Sequence, residues 1–364
     1  MNRTHKFRQG MLLALAMFTA VLVFAAPQRC ADALHAGLVL CGGPLLVSLF
    51  PFLIVSALLM GCGAGPLLGF AFQPAARVIG VRAKAAGSVL LIGFLGGFAP
   101  AAAAAVQAVR TGQLTPRQAS VLLPACVCSG PSFVILTVGE QMLGSRALGV
   151  RLFAVQLLAG YLTAAVLCRM QGGAGQCLPA KAEEIPLPTL DAVVAQAAVT
   201  YLKLCGFVLY FRLLAAGAET LLPKPWSVLP AMLLEVCSGC DCASRTGLWA
   251  STLCCAALSV QGASVILQVR TICPPEVSLG PLLAARVLHL PLSLALFWLV
   301  VPGTEQAVQA FSTLSGRVVV MHRVPLDCAL LAFAVCCIAV AELQKRCSGQ
   351  CEALHDQHKK TAAR

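Results

Sequence analysis

Serine hydroxyls set beside helix-breaking glycines recur inside apolar stretches of this chain. Gly93-Phe94-Leu95-Gly96-Gly97-Phe98-Ala99-Pro100 is followed by Cys128-Ser129-Gly130-Pro131-Ser132, and Glu235-Val236-Cys237-Ser238-Gly239-Cys240 by Gln261-Gly262-Ala263-Ser264. Such groups suit holding a small polar solute rather than making or breaking a bond. Each break frees backbone amides and carbonyls, which in hydrocarbon must be buried in protein or line a wet cavity. The helix that restarts after a break offers free N–H groups and a positive dipole end, both favourable to an anion. Corresponding breaks in two halves point to a transport site at the midplane. The candidate substrate contacts are therefore Gly96, Gly97, Ser129, Gly130, Pro131, Ser132, Ser238, Gly239, Gln261 and Gly262. Close helix packing through Gly and Ser is the structural alternative.

Ionisable groups within apolar runs extend the set. Lys203 lies mid-way along 190–217, where burying a charge costs about 2.5–3.5 kcal/mol, so it needs an anionic substrate or a structural partner such as Glu235. Glu235 precedes the second break and either binds a proton or sodium ion or holds the hairpin in register. Arg212, nearer a helix end, is read as snorkelling to the interface, and Asp241 and Arg245 as sitting at the aqueous rim. Arg286 and His289 share a helix face, open to a proton-sensing role or to ordinary packing. Gln107, Gln156, Gln261 and Gln268 suit interhelical hydrogen bonds.

The elements that position these residues follow from composition. Hydrophobic residues make up 59% of 364 and charged residues 11%, and the mean hydropathy is +0.86. A soluble domain carries roughly 25% charged residues, so this is the composition of a polytopic helical membrane protein. The net charge of +12 is dispersed between apolar spans and gathered at the ends, which reads as positive-inside topology and excludes nucleic acid as the partner.

Apolar runs of about twenty residues predict spanning helices near 11–26, 38–60, 119–143, 147–169, 190–217, 246–269, 281–301 and 325–343. Segments 86–109 and 228–242 are read as re-entrant hairpins. With Arg3, Lys6 and Arg8 cytoplasmic, eight crossings put Arg77, Arg82, Lys84, Lys181 and the basic tail on the same side, so both termini are cytoplasmic. Met11 to Ala26 reads as an uncleaved first helix, with a signal peptide as the alternative. The units are 1–36, a basic segment and first helix; 37–170, a first gate repeat; 171–189, a Gly- and Pro-rich cytoplasmic linker; 190–302, a second gate repeat in inverted orientation; and 303–364, a last helix and basic tail.

No catalytic constellation is present: there is no Walker A run, Gly-x-Ser-x-Gly elbow or His-Glu-x-x-His, so no enzyme activity is expected. Most of the nineteen cysteines lie within apolar runs and read as small hydrophobes, so neither a metal nor a cofactor is expected.

Several motifs together carry a resemblance. Gly93-Phe94-Leu95-Gly96-Gly97-Phe98, Thr111 to Ala119, Ser129-Gly130-Pro131-Ser132-Phe133 and Thr137-Val138-Gly139, then Leu233 to Cys240 and Leu258-Ser259-Val260-Gln261-Gly262, resemble in order the sporulation integral membrane proteins with nucleoside-recognition gate domains. The chain departs from that family at Phe98-Ala99-Pro100, where Tyr-Pro is common, and at Cys237-Ser238, where Thr-Asn is usual. The resemblance implies gate domains similar to those of concentrative nucleoside transporters, with hairpins and broken helices around a substrate. It also implies a mother-cell membrane protein that moves dipicolinic acid toward the forespore. The expected function is thus a secondary transporter or permease of a small organic anion, coupled to H+ or Na+ and potentially homo-oligomeric in the membrane. The alternatives are a non-transporting scaffold or partner subunit in spore assembly, and a transporter of nucleosides or another small metabolite.

Overall fold

A computed structural model describes residues 3–62, 67, 69–174, 189–222, 226 and 228–301. Every regular element among them is helical. Helix α1 (Arg3–Ala25) meets α2 (Pro27–Leu40) at 107°, Pro27 opening the second helix at a position that needs no amide donor. A π-helical turn, Cys41–Leu45, leads into α3 (Leu46–Gly61). Then follow α4 (Gln73–Ile79), α5 (Lys84–Gly96), α6 (Phe98–Arg110), α7 (Pro116–Cys126), the π-wound α8 (Ser132–Met142) and α9 (Arg146–Met170). The second part comprises α10 (Leu190–Leu221), α11 (Val228–Leu234), α12 (Val236–Ser244), α13 (Ala250–Val260), α14 (Gly262–Ile272) and α15 (Gly280–Val300).

Four helices among the described residues are long and apolar enough to cross a membrane: Arg146–Met170, Leu190–Glu219, Gly247–Ile272 and Gly280–Val300. The number rises to six if each of two bent pairs is counted as one span. These are the helices of an integral membrane protein. The expected helix at 325–343 and most of the expected linker lie outside the described residues.

Local chemistry explains where the elements begin and end. Thr115-Pro116-Arg117-Gln118 forms a capping box at the start of α7: Thr115 Oγ1 accepts from the Gln118 amide at 3.1 Å, and Gln118 Oε1 accepts from the Thr115 amide at 3.0 Å. The apolar segment expected as one helix at 38–60 is split: 38–40 end α2, and α winding resumes at Leu46 after the π-helical turn. Gly42-Gly43-Pro44 interrupts it, because Pro44 has no amide to donate to the preceding turn. The second hairpin also turns earlier than its Gly content suggests. The chain is extended at Glu235, with φ −151° and ψ 129°, so the bend sits there while Ser238 and Gly239 lie within α12.

Small residues let the hairpins enter the core. Ala99, Ala101, Ala102, Ala105 and Ala108 on α6 are wholly buried, and α5, α6 and α7 pack against one another. In a membrane, where hydrophobic burial between helices contributes little, such close approach supplies the dispersion energy of association.

Arg212 corrects one expectation. Rather than snorkelling, Arg212 spans from α10 to Asp241 on α12 at 2.9 Å, and Asp241 also accepts from Arg245 at 2.8 Å. The Arg212 side chain is 11% exposed, that of Asp241 24% and that of Arg245 74%, so the network runs from the helix packing out to the rim expected of Asp241 and Arg245. Removing one partner strands the other charge. Asp241→Asn is expected to destabilise the purified protein by roughly 2–4 kcal/mol in thermal unfolding, with Arg212→Met/Asp241→Leu recovering most of the loss.

Candidate functional site

The second hairpin is built around Glu235, which is 1% exposed. Its carboxylate caps α12, accepting from the Cys237 amide at 2.8 Å, the Ser238 amide at 2.6 Å and the Ser238 hydroxyl at 3.0 Å. A carboxylate in that position satisfies two orphan amides and complements the helix dipole. Ser238 is thereby committed to Glu235. Gly239 lets the two arms touch, since a Cβ there would lie 2.8 Å from the Met232 Cα.

Each hairpin tip rests on the break of the broken helix that follows it. In the first half, Gly97 adopts φ +77°, and a Cβ added to it would fall 2.7 Å from the Gly130 amide nitrogen. In the second, Gly262 adopts φ +72°, and its Cβ would fall 2.8 Å from the Glu235 amide nitrogen. Both positions demand glycine twice over, for backbone conformation and for space.

The breaks are also joined to each other. The Val127 carbonyl, freed where α7 ends, accepts from Gln261 Nε2 at 3.0 Å and from Arg286 Nη2 at 3.0 Å. Arg286 Nη1 reaches the Ser259 carbonyl at 3.3 Å, near the end of α13. One guanidinium on α15 thus bridges the carbonyl ends of two helix halves, where the dipoles favour a cation. Gln261 holds φ +62° at the second break, a left-handed conformation that costs a non-glycine residue about 1–3 kcal/mol.

His289 and Gln156 complete this polar core. Because a guanidinium only donates, the 3.2 Å contact from Arg286 Nη1 makes His289 Nδ1 the acceptor. His289 Nε2–H then donates to the Gln156 carbonyl at 3.2 Å, so both ring nitrogens are engaged in packing. Gln156 Nε2 bonds Ser259 Oγ at 2.9 Å and the Cys255 carbonyl at 3.1 Å, making the interhelical bridge its composition suggests.

A narrow, mostly apolar cleft with an internal volume of about 30 Å3 lies between these elements. Ser129, Gly130 and Phe133 line it from the first break, Glu235, Val236 and Cys237 from the second hairpin, and Val265 and Gln268 from α14. Phe98, Leu45, Leu49, Leu204 and Val208 form the remaining wall.

The sequence-derived candidates divide accordingly. Ser129, Gly130 and Glu235 face the cleft. Gly96 and Gly97 sit behind Gly130, Gln261 and Gly262 support the breaks, and Ser238 and Gly239 are buried within the hairpin. Pro131 and Ser132 are half-buried at the start of α8 and do not line the cleft. Lys203 is on the exposed face of α10, whereas Leu204 and Val208 face inward, so neither the cavity contact nor the Glu235 pairing expected of it is seen. A helix turns each successive residue by about 100°, and Lys203 falls on the wrong side.

Gln268, expected to bond between helices, instead bonds within α14 and lines the cleft. Its Nε2 donates to Ser264 Oγ at 2.8 Å, while its buried Oε1 has no partner and the side chain lines the cleft. Gln261, Ser264 and Gln268 recur at i, i+3 and i+7, a polar stripe that signals a shared face.

No protein-family model matches the chain, nor does any curated protein or solved structure.

Gly97→Ala and Gly262→Ala are expected to collapse the yield of folded protein, because each puts a Cβ into backbone at an unfavourable φ. Gly206→Ala, in open space on α10, is expected to be neutral or stabilising by about 0.5–1 kcal/mol. Size-exclusion profiles and melting curves of the detergent-solubilised variants make the comparison.

Proposed function

We propose that the protein is a secondary transporter or permease of a small organic anion, with dipicolinic acid the substrate implied by the resemblance to the sporulation gate-domain proteins. The direction would be toward the forespore, across a mother-cell-derived membrane. The observation that carries this reading is the convergence of four helix starts on one cleft. Phe98 opens α6, Ser129-Gly130 precedes α8, Glu235 to Cys237 opens α12, and Val265 lies in the first turn of α14. Each helix start contributes a partial positive charge of up to about half an elementary charge, against the single carboxylate of Glu235. Ser129 and Gln268 add polar contacts at the same place.

The architecture proposed with this function is eight crossings and two re-entrant hairpins arranged as an inverted repeat, with both termini cytoplasmic. Its support is the parallel between the halves: in each, a hairpin tip is seated on the break of the following helix. Each hairpin also packs against the helix that precedes it in the same half, α6 on α3 and α11 on α10.

A scaffold or partner subunit in spore assembly is the second reading, favoured by the narrowness and apolar lining of the cleft. Uptake of labelled dipicolinate into vesicles containing the purified protein separates the two, with nucleosides as the counter-assay. Saturable uptake is expected, and its absence with correctly inserted protein would favour the scaffold. A Cβ at Gly130 meets the Gly96 and Gly97 backbone at an ordinary 3.5 Å, so Gly130→Ala should insert normally while altering the wall of the cleft. Its uptake is expected to fall about tenfold or more, equivalent to losing roughly 1.4 kcal/mol of binding. Lys203→Met, on the exposed face, is expected to transport at the wild-type rate.

A further inference from the structure

Arg286 is a half-buried cation without an acidic partner among the described residues; its guanidinium contacts are the Val127 and Ser259 carbonyls and His289 Nδ1. Its Nε has no hydrogen-bond partner. Unwound backbone carbonyls and the C-terminal ends of half-helices are the groups that coordinate a coupling cation in transporters built from broken helices. Here both such ends, from two different broken helices, are held by one side chain of α15. The guanidinium is planar, permanently charged and weakly hydrated, which suits it to two carbonyls in different directions.

We infer that Arg286 is a tethered cation occupying the monovalent-cation position where the two helix breaks meet. Free sodium therefore has no role at that position in the native protein, and truncating the side chain opens a cation site lined by the Val127 and Ser259 carbonyls. The inference deepens the transporter reading and rests on it only for the consequence that uptake proceeds without sodium at this site. The cation site itself is a property of the fold and is measurable without substrate.

The test uses the full-length protein purified in detergent, with melting followed by tryptophan fluorescence. Wild type and Arg286→Ala are compared in choline chloride, in sodium chloride at the same ionic strength, and in choline chloride with millimolar guanidinium, far below denaturing levels. Arg286→Ala is expected to melt lower than wild type in choline and to regain roughly 2–4 °C with guanidinium or sodium, while wild type gains nothing from either at these concentrations. An Arg286→Ala protein that is folded yet responds to neither cation overturns the inference. So does a response of equal size in wild type.

Should Arg286→Ala fail to accumulate, Arg286→Lys and Arg286→Met decide. Accumulation of the Lys variant alone supports a requirement for positive charge at the two carbonyls; equal accumulation, equal failure or accumulation of the Met variant alone overturns it. Vesicle uptake is read separately. Absence of uptake by wild type sinks the transporter reading, whereas an unresponsive melting curve of Arg286→Ala sinks the tethered cation.

Discussion

A backbone carbonyl released inside a membrane protein has to find a donor, and the rest of this structure depends on how Val127 finds two. Gln261 and Arg286 both donate to it, one from the opposite helix break and the other from α15. Because Arg286 also reaches the Ser259 carbonyl, the end of α7 and the end of α13 are held at a fixed distance by one rigid group. Leaving these acceptors unpaired in a medium without water would cost several kcal/mol each, and Gln261 with α15 supplies the donors that let the interruptions persist. This is why the broken helices are tolerated in so apolar a chain.

The hairpins depend on that arrangement in turn. Gly97 and Gly262 bring backbone against backbone at the two breaks, so the tip of each hairpin is shaped by the helix it rests on. Glu235 fixes the second tip by capping α12, a structural duty that also leaves its carboxylate bordering the cleft. The cleft is what remains between four helix starts once their tips are locked. Its polarity comes chiefly from helix ends, Ser129, Gln268 and Glu235, in a wall that is otherwise Leu, Val and Phe.

Charge in the core follows a consistent pattern. Arg212 is matched by Asp241, and Arg286 by helix carbonyls, so each half-buried arginine is compensated by a different means. Lys203 has neither kind of partner nearby and is exposed. Its flexible stem can carry a compact ammonium toward water, whereas a planar guanidinium can be fully engaged by fixed acceptors.

The sequence by itself determined the membrane class, the long apolar helices and the presence of interruptions near Gly97, Ser129-Gly130 and Gln261-Gly262. These are local properties: hydropathy summed over about twenty residues, and the inability of Gly and Pro to sustain a helix. The exact turn of the second hairpin was not legible, because whether the bend falls at Glu235 or at Gly239 depends on where a carboxylate can cap amides and where two arms must touch. Nor was the choice between Lys203, Gln268 and Arg286, since spacing groups Gln268 with Gln261 and Ser264 on one face but does not say which face meets a neighbour. Only the tertiary structure brought Val127, Gln261 and Arg286 together, across separations of 134 and 159 residues. The physical reason is that a freed carbonyl announces a need for a donor, while the donor's identity is set by which distant helix packs beside it.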